Sequence, residues 1–79
     1  MDEGIIDKIE RLKVKADLFL KNDIKVFIKT ISDNYYFCDI LLVGEIYLML
    51  YNFAGKRKGE KDRLVWTDIV EIKEYEERE

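Results

Sequence analysis

The chain has no proline and no histidine, and its single cysteine is Cys38. A lone cysteine cannot form an intrachain disulfide, and without histidine the ordinary zinc ligand sets cannot be assembled. A domain of 79 residues is near the size at which one apolar core barely suffices, so it commonly gains stability from disulfides, metals or partner subunits. Because the sequence excludes the first two, we expect a homo-oligomer with no metal and no cofactor.

Long apolar runs and targeting signals are also missing. No stretch approaches the roughly 20 apolar residues of a membrane-spanning helix. The acidic start MDEG lacks the basic residues of a signal peptide. We therefore expect no membrane partner and a cytoplasmic location.

The residue types that carry catalysis do not form a recognisable set. The sequence shows no nucleophile next to a base, no glycine loop for phosphates and no pair of carboxylates in contrasting environments. It predicts no catalytic residues, and we expect that the protein is not an enzyme.

Charge is abundant but unevenly distributed. Charged residues make up 39% of the chain, and the net charge is −3. Residues 1–10 carry four acids against one lysine, and residues 71–79 carry five glutamates against two cations, so each end has a net charge of −3. Residues 56–63 carry five cations against two acids, for a net charge of +3. The pattern indicates an acidic body with one basic loop.

Apolar spacing predicts one helix at the start of the chain. Apolar residues recur every three or four positions, at Ile5, Ile9, Leu12, Ala16 and Phe19. This is the stripe of an amphipathic helix, which we place at about residues 3–21. Asp2 is the expected N-cap, and Asn22 is the expected left-handed stop.

The rest of the chain reads as short strands. We predict strands at 25–30, 35–43 and 46–53, then a loop at 54–62 and two strands within 63–75. The predicted fold class is all-β with an N-terminal helix, in the form of a small five-stranded bent antiparallel barrel. One domain spans residues 1–79, with the barrel at about 24–75 and an acidic tail at 74–79.

The predicted strands are apolar on both faces. The carboxylate of Asp39 must reach water or a partner, so we place the alternate set inward: Tyr36, Cys38, Ile40 and Leu42. In the next strand we place Ile46, Leu48 and Leu50 inward, and Tyr47, Met49 and Tyr51 outward. A half-exposed strand normally alternates apolar with polar residues. An outward face that is also apolar therefore predicts a subunit interface.

Two segments resemble a known family. CDILLVGEIYLML (38–50) has apolar residues at the intervals of that family's second and third strands, and LVWTDIVEI (64–72) looks like its paired last strands. With the N-terminal helix they resemble the Sm-like (LSm) superfamily. The resemblance implies a ring of six or seven subunits that binds single-stranded, often U-rich, RNA around its pore. It also implies edge pairing between the fourth and fifth strands of neighbouring subunits. From these edges and the apolar outward face of the third strand, the expected interface residues are Tyr47, Met49, Tyr51, Leu64 and Val65.

The chain departs from that family at the positions that contact RNA. Cys38 stands where the first family motif has glycine, and Gly44 stands where it has aspartate. The base-contacting asparagine has no counterpart near residues 46–48, and the Arg-Gly of the second motif falls on Val65 and Trp66. The resemblance therefore implies a fold and an assembly more than it implies the family's RNA pocket.

The basic loop is the expected RNA-binding site. The candidate residues are Lys56, Arg57, Lys58, Lys61, Arg63 and Trp66. The cations would contact phosphates through charge, with Gly55 and Gly59 keeping the loop flexible, and Trp66 would stack on a base. Two alternatives remain open: the loop is a solvated hairpin tip, and Trp66 is an anchor buried between subunits.

Two further features have more than one interpretation. An aromatic cluster is either a platform on which bases stack or part of the core and interface; it comprises Tyr35, Tyr36, Phe37, Tyr47 and Tyr51. Cys38 has no cation beside it in an apolar strand, so we expect an inert buried thiol.

The leading functional hypothesis is an oligomeric Sm-like module associated with single-stranded RNA. The rival is a protein-interaction or scaffold module on the same fold that does not bind RNA. Fold alone does not decide between them. A third class, the SH3-like DNA-binding barrel, would need a basic sheet face, which the sequence does not predict.

Overall fold

One helix and five strands follow one another along the chain. The computed structural model describes residues 3–76, and of Glu3 it describes the backbone alone. The elements are α1 (Glu3–Lys21), β1 (Val26–Thr30), β2 (Tyr35–Val43), β3 (Tyr47–Ala54), β4 (Lys61–Val65) and β5 (Ile69–Glu74). A short 3-10 helix, Trp66–Asp68, joins the last two strands. The predicted fold class, all-β with an N-terminal helix, is confirmed.

Helix α1 packs one apolar stripe against the sheet. Leu12, Ala16 and Phe19 are buried in the core, whereas Ile5, at the start of the stripe, is exposed. Burying a side chain such as Leu or Phe stabilises the fold by about 1.5–3 kcal/mol. The second half of the helix therefore holds it on the sheet.

The helix ends at Lys21, as the sequence predicts, but the left-handed residue lies one position later than we expected. Asp23, with a φ of 54°, occupies the left-handed position that we assigned to Asn22. The Asn22 side chain instead donates a hydrogen bond to the carbonyl of Leu18 at 2.8 Å. Both residue types tolerate the left-handed conformation, so the sequence alone does not distinguish them. The predicted N-cap, Asp2, lies outside the described residues.

The five strands form one antiparallel sheet in the order β4-β3-β2-β1-β5. Each of the strands β1 to β3 pairs with the strand that follows it in the chain, and β5 pairs with the other side of β1. Within residues 3–76, β4 and β5 do not pair with each other, so both are edge strands. The predicted barrel is therefore not closed.

The core lies between α1 and the inner face of the sheet. The sheet's contribution includes the buried residues Val26, Ile28, Tyr36, Cys38, Ile40, Leu48, Leu50, Leu64, Trp66, Ile69 and Ile72. The alternate set that contains Cys38 points inward, as the sequence predicts, and Asp39 points to the other face, where it forms an ion pair with Lys25 (3.3 Å).

Two residues that we placed inward are exposed. Between the pairs Ile40↔Leu50 and Leu42↔Met49, strand β2 has one more residue than β3. This bulge reverses the alternation, so Leu42 is exposed and Val43 packs against the core. Ile46 is 72% exposed because it precedes β3 instead of lying within it.

The chain beyond β5 remains attached to the sheet for at least one residue. The Tyr75 amide donates a hydrogen bond to the Lys25 carbonyl (2.9 Å), and the Tyr75 side chain is half-buried. Residues 77–79 of the predicted acidic tail lie outside the described residues. No helix in the described part of the chain is both long enough and apolar enough to span a membrane.

Candidate nucleic-acid interface

The loop that joins β3 to β4 is a hydrogen-bonded turn. It spans residues 55–60, shorter than the predicted 54–62, because Ala54 ends β3 and Lys61 begins β4. Gly55 and Gly59 both adopt a positive φ, 86° and 89°. The Gly59 amide donates to the Asn52 carbonyl (2.8 Å), and the Asn52 amide donates to the Glu60 carbonyl (2.9 Å). The two glycines therefore supply turn geometry.

A buried asparagine holds the base of this loop. Asn52 is only 1% exposed, and its side-chain amide donates to the Glu60 carbonyl (2.9 Å) and to a carboxylate oxygen of Asp62 (2.7 Å). The other oxygen of Asp62 accepts a hydrogen bond from Arg57 (3.2 Å). Arg57 also lies over the ring of Tyr36, at 5.5 Å from its centroid. The network fixes Arg57 and partly neutralises its charge.

The predicted basic residues fall into two groups. Lys56, Arg57 and Lys58 lie in the loop, and neither lysine forms an ion pair with another residue in the range 3–76. Lys61 and Arg63 lie instead on the outer face of β4. The basic run 56–63 is therefore divided between the loop and strand β4, a boundary that the charge pattern in the sequence did not indicate.

The second group lies among the predicted interface residues. In the register of β3 with β4, Tyr47 faces Val65, Met49 faces Arg63 and Tyr51 faces Lys61. The Arg63 guanidinium lies 5.6 Å from the centroid of the Tyr47 ring. The structure thus brings six of our candidate residues onto one outer sheet face, which we call the β3–β4 face: Tyr47, Met49, Tyr51, Lys61, Arg63 and Val65.

Two candidates point to the core. Trp66 is only 3% exposed, and its indole N–H donates a hydrogen bond to the Gly44 carbonyl (2.9 Å). The single chain already covers the ring, so Trp66 is available neither to stack on a base nor to anchor a second subunit. Leu64, one of the predicted interface residues, is also buried in the core, because it alternates with Arg63 and Val65 along β4.

The predicted aromatic cluster is also divided between the core and the outer side of the sheet. Tyr36 is buried, whereas five other rings form a continuous series on the opposite side of the sheet, which we call the aromatic row. Its neighbouring centroids are 5.2–5.7 Å apart in the order Tyr35, Phe27, Phe37, Tyr75 and Phe53. The spacing is that of favourable aromatic pairs. None of the five belongs to the core cluster.

Lysines cover parts of the aromatic row. Lys25 lies 4.4 Å from the centroid of Phe53, Lys73 lies 5.1 Å from that of Phe27, and Lys29 lies 5.8 Å from that of Tyr35. Each lysine also forms an ion pair on the surface, with acceptors Asp39, Glu71 and Asp33 respectively. Such pairs contribute about 0–1 kcal/mol. Their charges largely cancel along the row.

Two clefts flank the aromatic row and share Phe37. The loop cleft, of about 340 Å³, lies between the β1–β2 turn and the β3–β4 loop; its lining includes Asp33, Asn34, Tyr35, Lys56 and Arg57. The terminal cleft, of about 410 Å³, lies where β5 ends; its lining includes Phe27, Lys73, Glu74, Tyr75 and Glu76. The lining of the loop cleft has two cationic side chains and one acidic side chain, and that of the terminal cleft has one cationic and two acidic side chains.

The cysteine is chemically quiet. Burial raises the pKa of the Cys38 thiol to about 12, and the nearby carboxylates of Asp39 and Asp62 act in the same direction. A thiol with this pKa is almost fully protonated at neutral pH, so it is a poor nucleophile and a poor metal ligand. In the described part of the chain, no three acidic or cysteine side chains lie close enough to hold a metal ion.

No protein-family model, no curated protein and no solved structure matches this chain.

Several site residues were not predicted. Asn52 continues the inward alternation of Leu48 and Leu50, so strand parity would have placed it inside. Phe27, Phe53 and Tyr75 were not assigned to any site because they lie in three separate segments, and only the sheet pairing brings them together.

Proposed function

We propose that this chain is an Sm-like module that assembles into a homo-oligomer through its two sheet edges and associates with single-stranded RNA. The observation that carries the proposal is the strand order, because it leaves β4 and β5 as two unpaired edges on opposite ends of one sheet. Edge strands present unpaired backbone groups and are a template for pairing with another chain. The Sm-like resemblance implies pairing between these same two strands.

The two edges have similar lengths, five residues in β4 and six in β5. Pairing of β4 in one copy with β5 in the next is a head-to-tail contact, which closes into a ring when the rotation per subunit permits. Val65, on the edge strand, and its neighbour Tyr47 provide apolar surface beside the β4 edge. This geometry supports an assembly of more than two subunits.

RNA association is proposed through charge. Lys56 and Lys58 extend from the loop without ion pairs to other described residues, and Arg57 is oriented by Asp62. Each ring subunit would repeat these cations, and multivalent repetition raises a weak phosphate affinity by about two to four orders of magnitude. Because Val65 and the buried Trp66 occupy the positions of the family's Arg-Gly, we expect little sequence preference at the pore.

Light scattering after size-exclusion chromatography tests the assembly. We expect a single species of several subunits at micromolar concentration. Replacing Tyr47 and Val65 with lysine puts like charges beside Arg63 and should yield smaller species with an unchanged circular dichroism spectrum. Val14→Lys, on the exposed side of the helix, is the matched control and should leave the mass unchanged. A monomeric unmodified chain would contradict the proposed assembly.

RNA association is tested by fluorescence anisotropy with a labelled oligouridine at several salt concentrations. Each phosphate contact adds about 0.7 to the slope of log affinity against log salt for a single strand. Replacing Lys56, Arg57 and Lys58 with alanine should therefore weaken binding and make the slope shallower by about 2 for each subunit whose loop contacts the RNA. Undiminished binding by this variant would show that the loop is not the RNA contact.

Two observations favour the scaffold alternative. The burial of Trp66 removes one of the groups expected to contact RNA, and the pairing of Arg57 with Asp62 partly neutralises another. If the unmodified oligomer does not bind oligouridine at low salt, while a protein partner copurifies free of nucleic acid, the protein-interaction function replaces the RNA-associated one.

A further inference from the structure

The proposed RNA association uses only the charge of the β3–β4 loop, but the loop also forms one wall of the loop cleft. The opposite wall is the β1–β2 turn, and Tyr35 and Phe37 lie between them. The cleft therefore combines loop cations with aromatic rings. This combination is what single-stranded nucleic acids require, because bases stack on rings while phosphates contact cations.

Both walls of the cleft have a defined conformation. In the turn, the Thr30 amide donates to the Asn34 carbonyl (3.0 Å), and the Asp33 amide donates to the Thr30 carbonyl (3.0 Å). The loop wall approaches closely at Gly55, where a Cβ atom would lie 3.3 Å from the ring of Phe37. A preformed cleft reduces the ordering cost of binding.

Tyr35 is the ring best placed to accept a base. It is 50% exposed, the largest exposure of any aromatic side chain in the described chain, yet its position is restrained. The Phe27 ring packs against the Tyr35 ring, with 5.5 Å between their centroids. The Tyr35 hydroxyl donates a hydrogen bond to a carboxylate oxygen of Asp33 (3.4 Å). A restrained, exposed ring at the end of an aromatic series offers an open stacking surface.

Charge distinguishes the loop cleft from the terminal cleft. Lys56 has no ion pair within residues 3–76, whereas Arg57 pairs with Asp62 (3.2 Å) and Asp33 pairs with Lys29 (3.7 Å). In the terminal cleft, two glutamates oppose Lys73, which itself pairs with Glu71. An anionic ligand is therefore favoured in the loop cleft and repelled from the terminal cleft.

We propose that the loop cleft binds one nucleotide of a single-stranded RNA, with its base stacked on Tyr35 and its phosphate on Lys56. This inference rests on the proposed RNA association, and it adds a base-binding site that is separate from the pore. Asn34 lines the cleft wall, where its side-chain amide already donates a hydrogen bond to the Ser32 hydroxyl (3.0 Å), so its carbonyl oxygen is the group that would accept from the edge of the base.

The test compares a labelled oligouridine with an abasic oligomer of equal length and charge, by fluorescence anisotropy. Stacking of one base on an aromatic ring corresponds to roughly 5- to 150-fold in affinity. We expect the unmodified protein to prefer the oligouridine by a factor in this range. Tyr35→Ser should abolish the preference, and Tyr35→Phe should retain it. Val14→Ser, a change on the exposed side of the helix, should leave the preference unchanged.

Salt dependence separates a base site from a structural effect. Tyr35→Ser should leave the slope of log affinity against log salt unchanged. Lys56→Ala should make the slope shallower by about 0.7 for each subunit that contacts the RNA, while retaining the base preference. Equal binding of both oligomers by the unmodified protein would overturn the nucleotide site and leave RNA association through the loop intact. Binding of neither oligomer would overturn both proposals. A Tyr35→Ser variant that keeps the full preference would also overturn the site.

Discussion

Replacing Trp66 with phenylalanine tests the strongest correction that the structure makes to the sequence-based site. The substitution keeps an aromatic ring but removes the N–H group that donates to the Gly44 carbonyl at 2.9 Å. Leaving a buried carbonyl without its partner costs about 1–3 kcal/mol. The smaller ring also leaves unfilled space in the core, for which about 1 kcal/mol is a low estimate. We therefore expect a loss of about 2–4 kcal/mol in the free energy of unfolding.

Urea unfolding followed by far-ultraviolet circular dichroism measures this loss, with all variants at one protein concentration because assembly is coupled to folding. The midpoint should fall by about 1–3 M, given typical urea slopes for small domains. Trp66 is the chain's one tryptophan. The native fluorescence of the unmodified protein should therefore be blue-shifted and weakly quenched by acrylamide, and both properties should change on unfolding.

Tyr51→Phe is the control, because it removes one polar atom from an exposed aromatic ring on the β3–β4 face. It should change the free energy of unfolding by no more than about 0.5 kcal/mol. Equal stability of Trp66→Phe and the unmodified protein, together with free quenching of native fluorescence, would refute the assignment of Trp66 to the core. Trp66 would then return to the residues available to RNA or to a second subunit.

Two further predictions concern buried polar groups. Asn52→Leu removes both side-chain hydrogen bonds at the base of the loop, so it should lower the free energy of unfolding by about 2–4 kcal/mol and speed amide exchange at Gly59. The control, Asn22→Ala, removes one exposed hydrogen bond and should lower the free energy of unfolding by at most about 1 kcal/mol. Equal losses in the two variants would contradict the role of Asn52. Because the pKa of Cys38 rises from 9.0 unfolded to about 12 folded, stability should fall as pH rises through that range, and thiol labelling at pH 8 should be slow until the protein unfolds. Cys38→Ala should flatten the alkaline decline, and rapid native labelling would show that Cys38 is accessible.

Local periodicity was sufficient to predict the helix and the five strands. The stripe that includes Leu12, Ala16 and Phe19 and the alternation of Leu48 with Leu50 depend only on residues close together in the chain. The exposure of Leu42 could not be predicted from local periodicity. It lies in a run that is apolar at every position, so nothing in the sequence marks the bulge that turns it outward.

The candidate site was predicted less completely, because its geometry is set by distant segments. Charge alone identified Lys56 and Lys58 as loop cations, but Lys61 could not be assigned to β4 without the register opposite Tyr51. The burial of Trp66 depends on Gly44, 22 residues earlier in the chain. The loop cleft likewise exists only because two separate turns meet above Phe37.

The order of the strands also has a consequence for how the chain folds. Three of the four strand pairs join consecutive strands, whereas β1 and β5 are separated in the chain by the other three strands. Closing a longer loop costs more conformational entropy, and pairing distant segments slows folding. The three hairpins can therefore form independently, and the β1–β5 pair commits them to one topology. That last pair also brings Lys73 over Phe27 and Tyr75 against Phe37. The aromatic row is thus completed by the same event that completes the core.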